Sequence, residues 1–126
     1  KTIEFITDNN EYKKIKKMEF SCINNKNFIK YINDYNFKNI IVSGIESHIC
    51  VLQTSMDLLQ KGLNILIPRD AIGSRNKMDN DTAFLRLILS GAVASTTESL
   101  ICELCKTSNR KEFREVSKIL KNSFSN

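Results

Sequence analysis

The chain has 126 residues, of which 41% are hydrophobic and 26% charged, with a formal net charge of +5 at pH 7. These values predict a single globular domain over 1–126 and exclude a membrane protein, because no apolar run approaches the roughly 18 to 20 residues that a membrane span needs. The lysines are scattered and aromatic residues are not interleaved with them, which argues against a nucleic-acid partner.

The N-terminal part of the chain carries weak signals for secondary structure. Residues 2–6 ("TIEFI") alternate like a short strand, and 18–22 ("MEFSC") fit another extended segment. From 25 to 35, apolar side chains recur at helical spacing, which predicts an amphipathic helix.

Three strand–helix units follow. The predicted strands are 39–43, 63–67 and 92–95. Of the four predicted helices, the first runs to about Lys61 and the second covers 79–90. The third follows a Ser95–Glu98 capping box, and the fourth covers 110–121. Strands that alternate with helices form parallel sheets with helices on both faces. The sequence therefore predicts an α/β fold in which ligands bind beyond the carboxyl ends of the strands.

The segment "GIESHIC", residues 44–50, follows the first of these strands. It places Cys50 at the start of a helix, where backbone amides and the helix dipole stabilise a thiolate and can bind an oxyanion. The alternative is an inert cysteine buried on the inner face of the helix. All four cysteines are expected to be reduced, and Cys102 and Cys105 to pack on one helix face.

His48 is the only histidine of the chain. Side chains two residues apart on a helix point to different faces, so a direct pair with Cys50 is disfavoured and a surface or loop role is the alternative. One histidine together with Cys102 and Cys105 leaves a zinc ligand set incomplete. We therefore expect no metal and no other cofactor.

Two stretches carry a family resemblance: "GIESHICVLQTSMDLLQKGLNILIPRDAIGSR" and "RLILSGAVASTTESLICEL". They resemble the C-terminal part of the isochorismatase-like cysteine hydrolases, above all the isochorismatase domain-containing proteins of eukaryotes. The resemblance implies a three-layer α-β-α fold with a mainly parallel, Rossmann-like sheet, whose N-terminal strand and helix have no counterpart here. It also implies a small-molecule substrate, an amide or related carbonyl compound, a homo-oligomer, and a cytoplasmic or mitochondrial location.

The resemblance also implies the site residues. Cys50 matches the family nucleophile, which a lysine and an aspartate assist in place of histidine. The motif K-x-x-F-S puts the lysine at Lys17, with Lys16 as the alternative in register. A cis peptide bond is implied between Ile45 and Glu46, and the backbone N–H groups of Glu46 and Cys50 match the oxyanion donors.

Other positions bear on activity. Asp70 and Arg75 match a family loop for which we expect structural hydrogen bonds. The family aspartate ends a first strand that has no counterpart here, and Asp8 does not match its motif. The alternative function is therefore a catalytically inactive protein that serves as an interaction module. Without that first strand, 39–43 is expected to be an exposed sheet edge.

Overall fold

The computed structural model describes residues 13–123, so the strand predicted at 2–6 lies outside the described residues. The α-helices are α1 (Lys26–Tyr35), α2 (Leu52–Gln60), α3 (Lys77–Leu89), α4 (Thr97–Cys105) and α5 (Lys111–Ser123). The strands are β1 (Asn39–Ile41), β2 (Gly44–Ile45), β3 (Asn64–Pro68), β4 (Ile72–Gly73) and β5 (Val93–Ser95). Shorter turns are the 3-10 turns Cys22–Asn24 and Arg69–Ala71 and the π-helical turn Ser47–Val51.

Three parallel strands form the main sheet, in the order β1-β3-β5. Within the described part of the chain β1 pairs with β3 alone, so it is the sheet edge that the sequence led us to expect. A second parallel pair joins β2 to β4, with Gly44 opposite Ile72 and Ile45 opposite Gly73. This pair was not predicted, because strands of two residues carry no periodic signal.

The core lies on one face of the main sheet. Ile65 and Ile67 of β3 are fully buried and belong to one hydrophobic cluster with Leu58 of α2 and Leu87 of α3. Leu66 points to the other face, since side chains alternate along a strand, and it lines a cavity of about 400 Å³ with residues of α4. Helices thus lie on both sides of the sheet, which confirms the three-layer α/β architecture.

Helix starts depend on caps that the sequence only partly predicts. The Ser95–Glu98 capping box is wrong: Thr96 is the N-cap of α4, and its hydroxyl accepts a hydrogen bond from the Ser99 N–H (3.3 Å). Ser95 is held in β5 opposite Pro68, so the helix begins one residue later than predicted. At the other end of the chain, the extended segment predicted at 18–22 runs through bends into a 3-10 turn.

All four cysteines are free thiols. Between residues 13 and 123, no helix is both long enough and apolar enough to cross a membrane.

A matched pair on α3 tests the position of the core. Leu87 is 0% exposed and Leu89, two residues later on the same helix, is 78% exposed. We expect Leu87→Ala to lower the free energy of unfolding by about 2 to 5 kcal/mol, through lost transfer energy and a cavity, and Leu89→Ala to change it by less than about 0.5 kcal/mol. Urea denaturation followed by circular dichroism measures both. Equal losses in the two variants would contradict the assigned core.

Candidate functional site

The turn that carries the candidate nucleophile is π-helical. It covers Ser47–Val51 and joins β2 to α2. The carbonyl of Glu46 accepts hydrogen bonds from the N–H groups of Ile49 (3.2 Å) and Val51 (3.3 Å). π-helical turns are rare and are frequently found at functional sites.

Cys50 lies in this turn, ahead of the regular helix, and not in a first α-helical turn as the sequence predicted. Its side chain is half-buried, between the exposed and fully buried extremes. The peptide bond between Ile45 and Glu46, at the start of the turn, is cis, and this is the bond at which the resemblance implied a cis geometry. The turn follows the carboxyl end of β2, the end at which parallel α/β sheets bind ligands.

A row of four hydrogen-bonded side chains, which we call the hydroxyl chain, connects this turn to its surroundings. It consists of His48, Ser74, Ser47 and Asn80. His48 Nδ1 lies 2.8 Å from Ser74 Oγ, Ser74 Oγ lies 2.5 Å from Ser47 Oγ, and Ser47 Oγ donates to Asn80 Oδ1 at 2.8 Å. Because Ser47 is 0% exposed, its hydroxyl needs hydrogen-bond partners inside the fold, and Ser74 and Asn80 supply them.

Charged groups surround the hydroxyl chain. The carboxylate of Glu46 accepts a hydrogen bond from the Arg75 N–H (3.0 Å) and forms an ion pair with Arg75 Nε (3.5 Å). His48 Nδ1 lies 3.7 Å from Glu46 Oε2, and His48 Nε2 lies 4.0 Å from Asp79 Oδ2. The imidazole is therefore flanked by two carboxylates and is not a free surface group. Sequence reasoning missed this role, since contacts over 26 or more residues leave no local pattern.

The predicted lysine binds carbonyl groups of its own segment. Lys17 Nζ donates hydrogen bonds to the carbonyls of Glu19 (2.6 Å) and Phe20 (2.8 Å). Together with Cys22 it lines a cavity of about 410 Å³. No hydrogen bond within residues 13–123 joins Lys17 to Cys50, so their pairing stays a prediction.

The segment that follows Lys17 is attached to the helix that follows Cys50. Ser21 Oγ donates to Asp57 Oδ2 (2.5 Å), and the Cys22 N–H donates to Thr54 Oγ1 (3.0 Å). Thr54 and Asp57 both lie on α2. The segment that carries the lysine motif is thus fastened to the helix that follows the cysteine-bearing turn.

Two expectations about hydrogen bonding and packing have clear outcomes. The structural role of Asp70 and Arg75 is confirmed, because Asp70 Oδ1 accepts from the Thr97 N–H (2.8 Å) and Arg75 binds Glu46. The packing role of Cys102 is wrong, because its side chain is exposed while Leu100 fills the inner face of α4. In the described part of the chain, no group of three or more His, Cys, Asp or Glu could hold a metal ion.

An ion-pair cluster holds the start of α3 against the turn after β3. Asp81 pairs with Arg69 and with Lys77 (2.5 Å for Lys77). The hydrogen bond from Lys77, with the charges of Lys77 and Arg69, holds the pKa of the Asp81 carboxyl below its ordinary value of 3.8. The cluster therefore favours the folded state above that value, and this effect is lost as the pH falls through the lowered pKa.

The fold and the site define an α/β protein with a half-buried thiol at the carboxyl end of a strand. The model of the isochorismatase domain matches residues 4–99. The chain belongs to the isochorismatase domain family.

Relatives and solved structures agree with this family. Isochorismatase family protein 1B of Dictyostelium discoideum is 37% identical over 116 residues, 90% of this chain and 56% of that protein. The MAR1 ribonuclease structure from Caenorhabditis elegans is 37% identical with a TM-score of 0.72, over 81% of this chain and 52% of that one. Escherichia coli YcaC, an octameric hydrolase of unknown specificity, shares the fold at 18% identity (TM-score 0.70, 85% of this chain and 59% of that one). The chain spans about half the length of the first two proteins.

Two buried serines test the hydroxyl chain. Ser47 and Ser55 are both 0% exposed, but among residues 13–123 the Ser55 hydroxyl has no hydrogen-bond partner. We expect Ser47→Ala to lower the free energy of unfolding by about 1 to 3 kcal/mol, because it removes the described partner of Asn80 Oδ1 and one of the two partners of Ser74 Oγ. Ser55→Ala should be neutral or stabilising, since alanine removes an unsatisfied hydroxyl and favours the helix. Thermal denaturation measures the stability of both variants. A Ser47→Ala protein as stable as the wild-type protein would contradict the role of Ser47 in the hydroxyl chain.

Proposed function

We propose that this chain forms the cysteine-bearing part of a hydrolase that acts on a small amide or a related carbonyl compound. The observation that carries the proposal is the position of Cys50. Its thiol is half-buried in a turn at the carboxyl end of β2, and side chains from two other parts of the fold fasten that turn. A fixed, partly exposed thiol in a polar turn is the arrangement that nucleophilic catalysis requires.

The reaction would proceed in two stages. The Cys50 thiolate attacks the carbonyl carbon, and the carbonyl π electrons move to the oxygen, where the backbone N–H groups of Glu46 and Cys50 donate hydrogen bonds. The tetrahedral intermediate then expels the amine, which takes up a proton, and leaves a thioester that water hydrolyses to the acid. The proton donor implied by the family resemblance is an aspartate on a strand with no counterpart in these 126 residues.

Lys17 is the group that we propose for holding the thiolate. An ammonium group has three N–H donors, and the carbonyls of Glu19 and Phe20 occupy two of them. One N–H remains for the sulfur, and the attachment of the following segment at Thr54 and Asp57 ties the motif to the helix that follows Cys50, which supports the proposal. A charge-assisted hydrogen bond to a thiolate needs no imidazole.

A catalytically inactive interaction module is the second candidate, and two observations favour it. The described hydrogen bonds of the Lys17 ammonium go to carbonyl groups and none goes to the thiol, and Ile41 on the edge strand β1 is 44% exposed. For either function we propose a homo-oligomer in the cytoplasm or the mitochondrion. E. coli YcaC is octameric, but at 18% identity it supports the shared fold alone.

Thiol labelling separates the two candidates. We expect iodoacetamide at neutral pH to label Cys50 at least about tenfold faster than Cys102, although Cys50 is half-buried and Cys102 exposed, because labelling follows thiolate content. Mass spectrometry of tryptic peptides measures the rate at each cysteine in the same sample, so Cys102 is an internal control. Equal rates, or fastest labelling at Cys22, would contradict an activated Cys50.

Two neighbouring lysines test the proposed role of the Lys17 ammonium. We expect Lys17→Met to slow labelling of Cys50 by about tenfold, because a cation beside the sulfur is what favours its thiolate. Lys16→Met is the matched control: Lys16 is exposed, and its described hydrogen bond uses the backbone carbonyl, so the rate should not change. A larger effect in the Lys16 variant would move the motif by one residue, and no effect in either would remove the lysine from the mechanism.

A further inference from the structure

The hydroxyl chain has a direction that follows from counting protons. A serine hydroxyl has one proton, and Ser47 donates its proton to Asn80 Oδ1, which can only accept. The contact of 2.5 Å between Ser47 and Ser74 therefore uses the proton of Ser74. No hydroxyl proton is left for the contact of 2.8 Å between Ser74 Oγ and His48 Nδ1, so the imidazole must be the donor there.

The charges around the ring are compatible with this result but do not select it, because a carboxylate faces each ring nitrogen. Glu46 Oε2 lies 3.7 Å from His48 Nδ1, and a lone pair on that nitrogen would face the carboxylate charge. A proton at Nδ1 converts this repulsion into attraction. Asp79 Oδ2, 4.0 Å from Nε2, is the acidic group on the other side of the ring, and Arg75 shares the Glu46 carboxylate.

We infer that His48 keeps a proton on Nδ1 in both its neutral and its charged form, and that His48 and Ser74 are positioning residues for the turn that carries Cys50. Through this chain the turn is joined to the loop after β4 at Ser74 and to α3 at Asn80. The positioning role rests on the proposed function, whereas the proton position does not. With Nδ1 committed to Ser74, that nitrogen cannot serve as a base for the thiol.

The proton position can be measured directly, because the chain has one histidine. A two-bond ¹H–¹⁵N correlation spectrum of the 126-residue chain, recorded well above neutral pH, identifies which ring nitrogen carries the proton. We expect the Nδ1–H tautomer, and its loss in Ser74→Ala, where the acceptor is gone. An Nε2–H tautomer in the wild-type protein would mean that the chain runs in the opposite direction, and it would overturn the inference.

The labelling rate of the Cys50 sulfur tests the positioning role of Ser74. We expect Ser74→Ala to slow iodoacetamide labelling of Cys50 by about tenfold, within the range that small misplacements of reacting groups produce. Ser74→Thr, which keeps the hydroxyl, should restore most of the rate. Ser99→Ala is the matched control, because that hydroxyl binds Glu103 on the exposed side of α4 and should leave the rate unchanged.

Failure of this inference differs from failure of the proposed function. If Cys50 of the wild-type protein labels no faster than Cys102, the hydrolase proposal fails, and the tautomer still reports on the hydroxyl chain. If Cys50 labels fast and Ser74→Ala labels equally fast, the positioning role is overturned. Circular dichroism of each variant shows whether it is folded, and the spectrum of the wild-type protein decides the proton position without any variant.

Discussion

The candidate site depends on one buried hydroxyl. Ser47 is 0% exposed at the start of a π-helical turn, and burial of a hydroxyl without a hydrogen bond costs several kcal/mol in an apolar environment, about 2 to 7 by transfer scales. Ser74 and Asn80 remove that cost, but only if the turn, the loop after β4 and the start of α3 keep their relative positions. The same hydrogen bonds that satisfy Ser47 thus fasten the turn in which Cys50 lies.

The exposed edge of the main sheet is a second constraint on the structure. β1 is an edge strand with β3 as its single partner among the described residues, and Ile41 on it is 44% exposed. Exposed edges are usually covered or paired in folded proteins. The chain also spans about half the length of the relatives that it matches.

Periodic features of the chain were predicted well, and features that depend on single residues were not. The helix at 25–35 and the strand at 63–67 follow from spacing and burial, and the structure has them at Lys26–Tyr35 and Asn64–Pro68. The N-cap of α4 was placed one residue early, because Ser95 and Thr96 are both good caps and the pairing of Ser95 in β5 decides between them. The exposed side chain of Cys102 was missed for a related reason, since the rotation of α4 depends on what packs beneath it.

The sequence by itself determined the alternation of strands and helices, the family and the identity of Cys50 as the cysteine at a strand end, because these depend on local order along the chain. The tertiary structure alone decided the π-helical turn, the pairing of β2 with β4 and the row from His48 to Asn80. The strand pair and the row of side chains join residues about 26 to 33 positions apart. Their free energy comes from satisfying polar groups that only the folded chain buries, and no local pattern of residues encodes that.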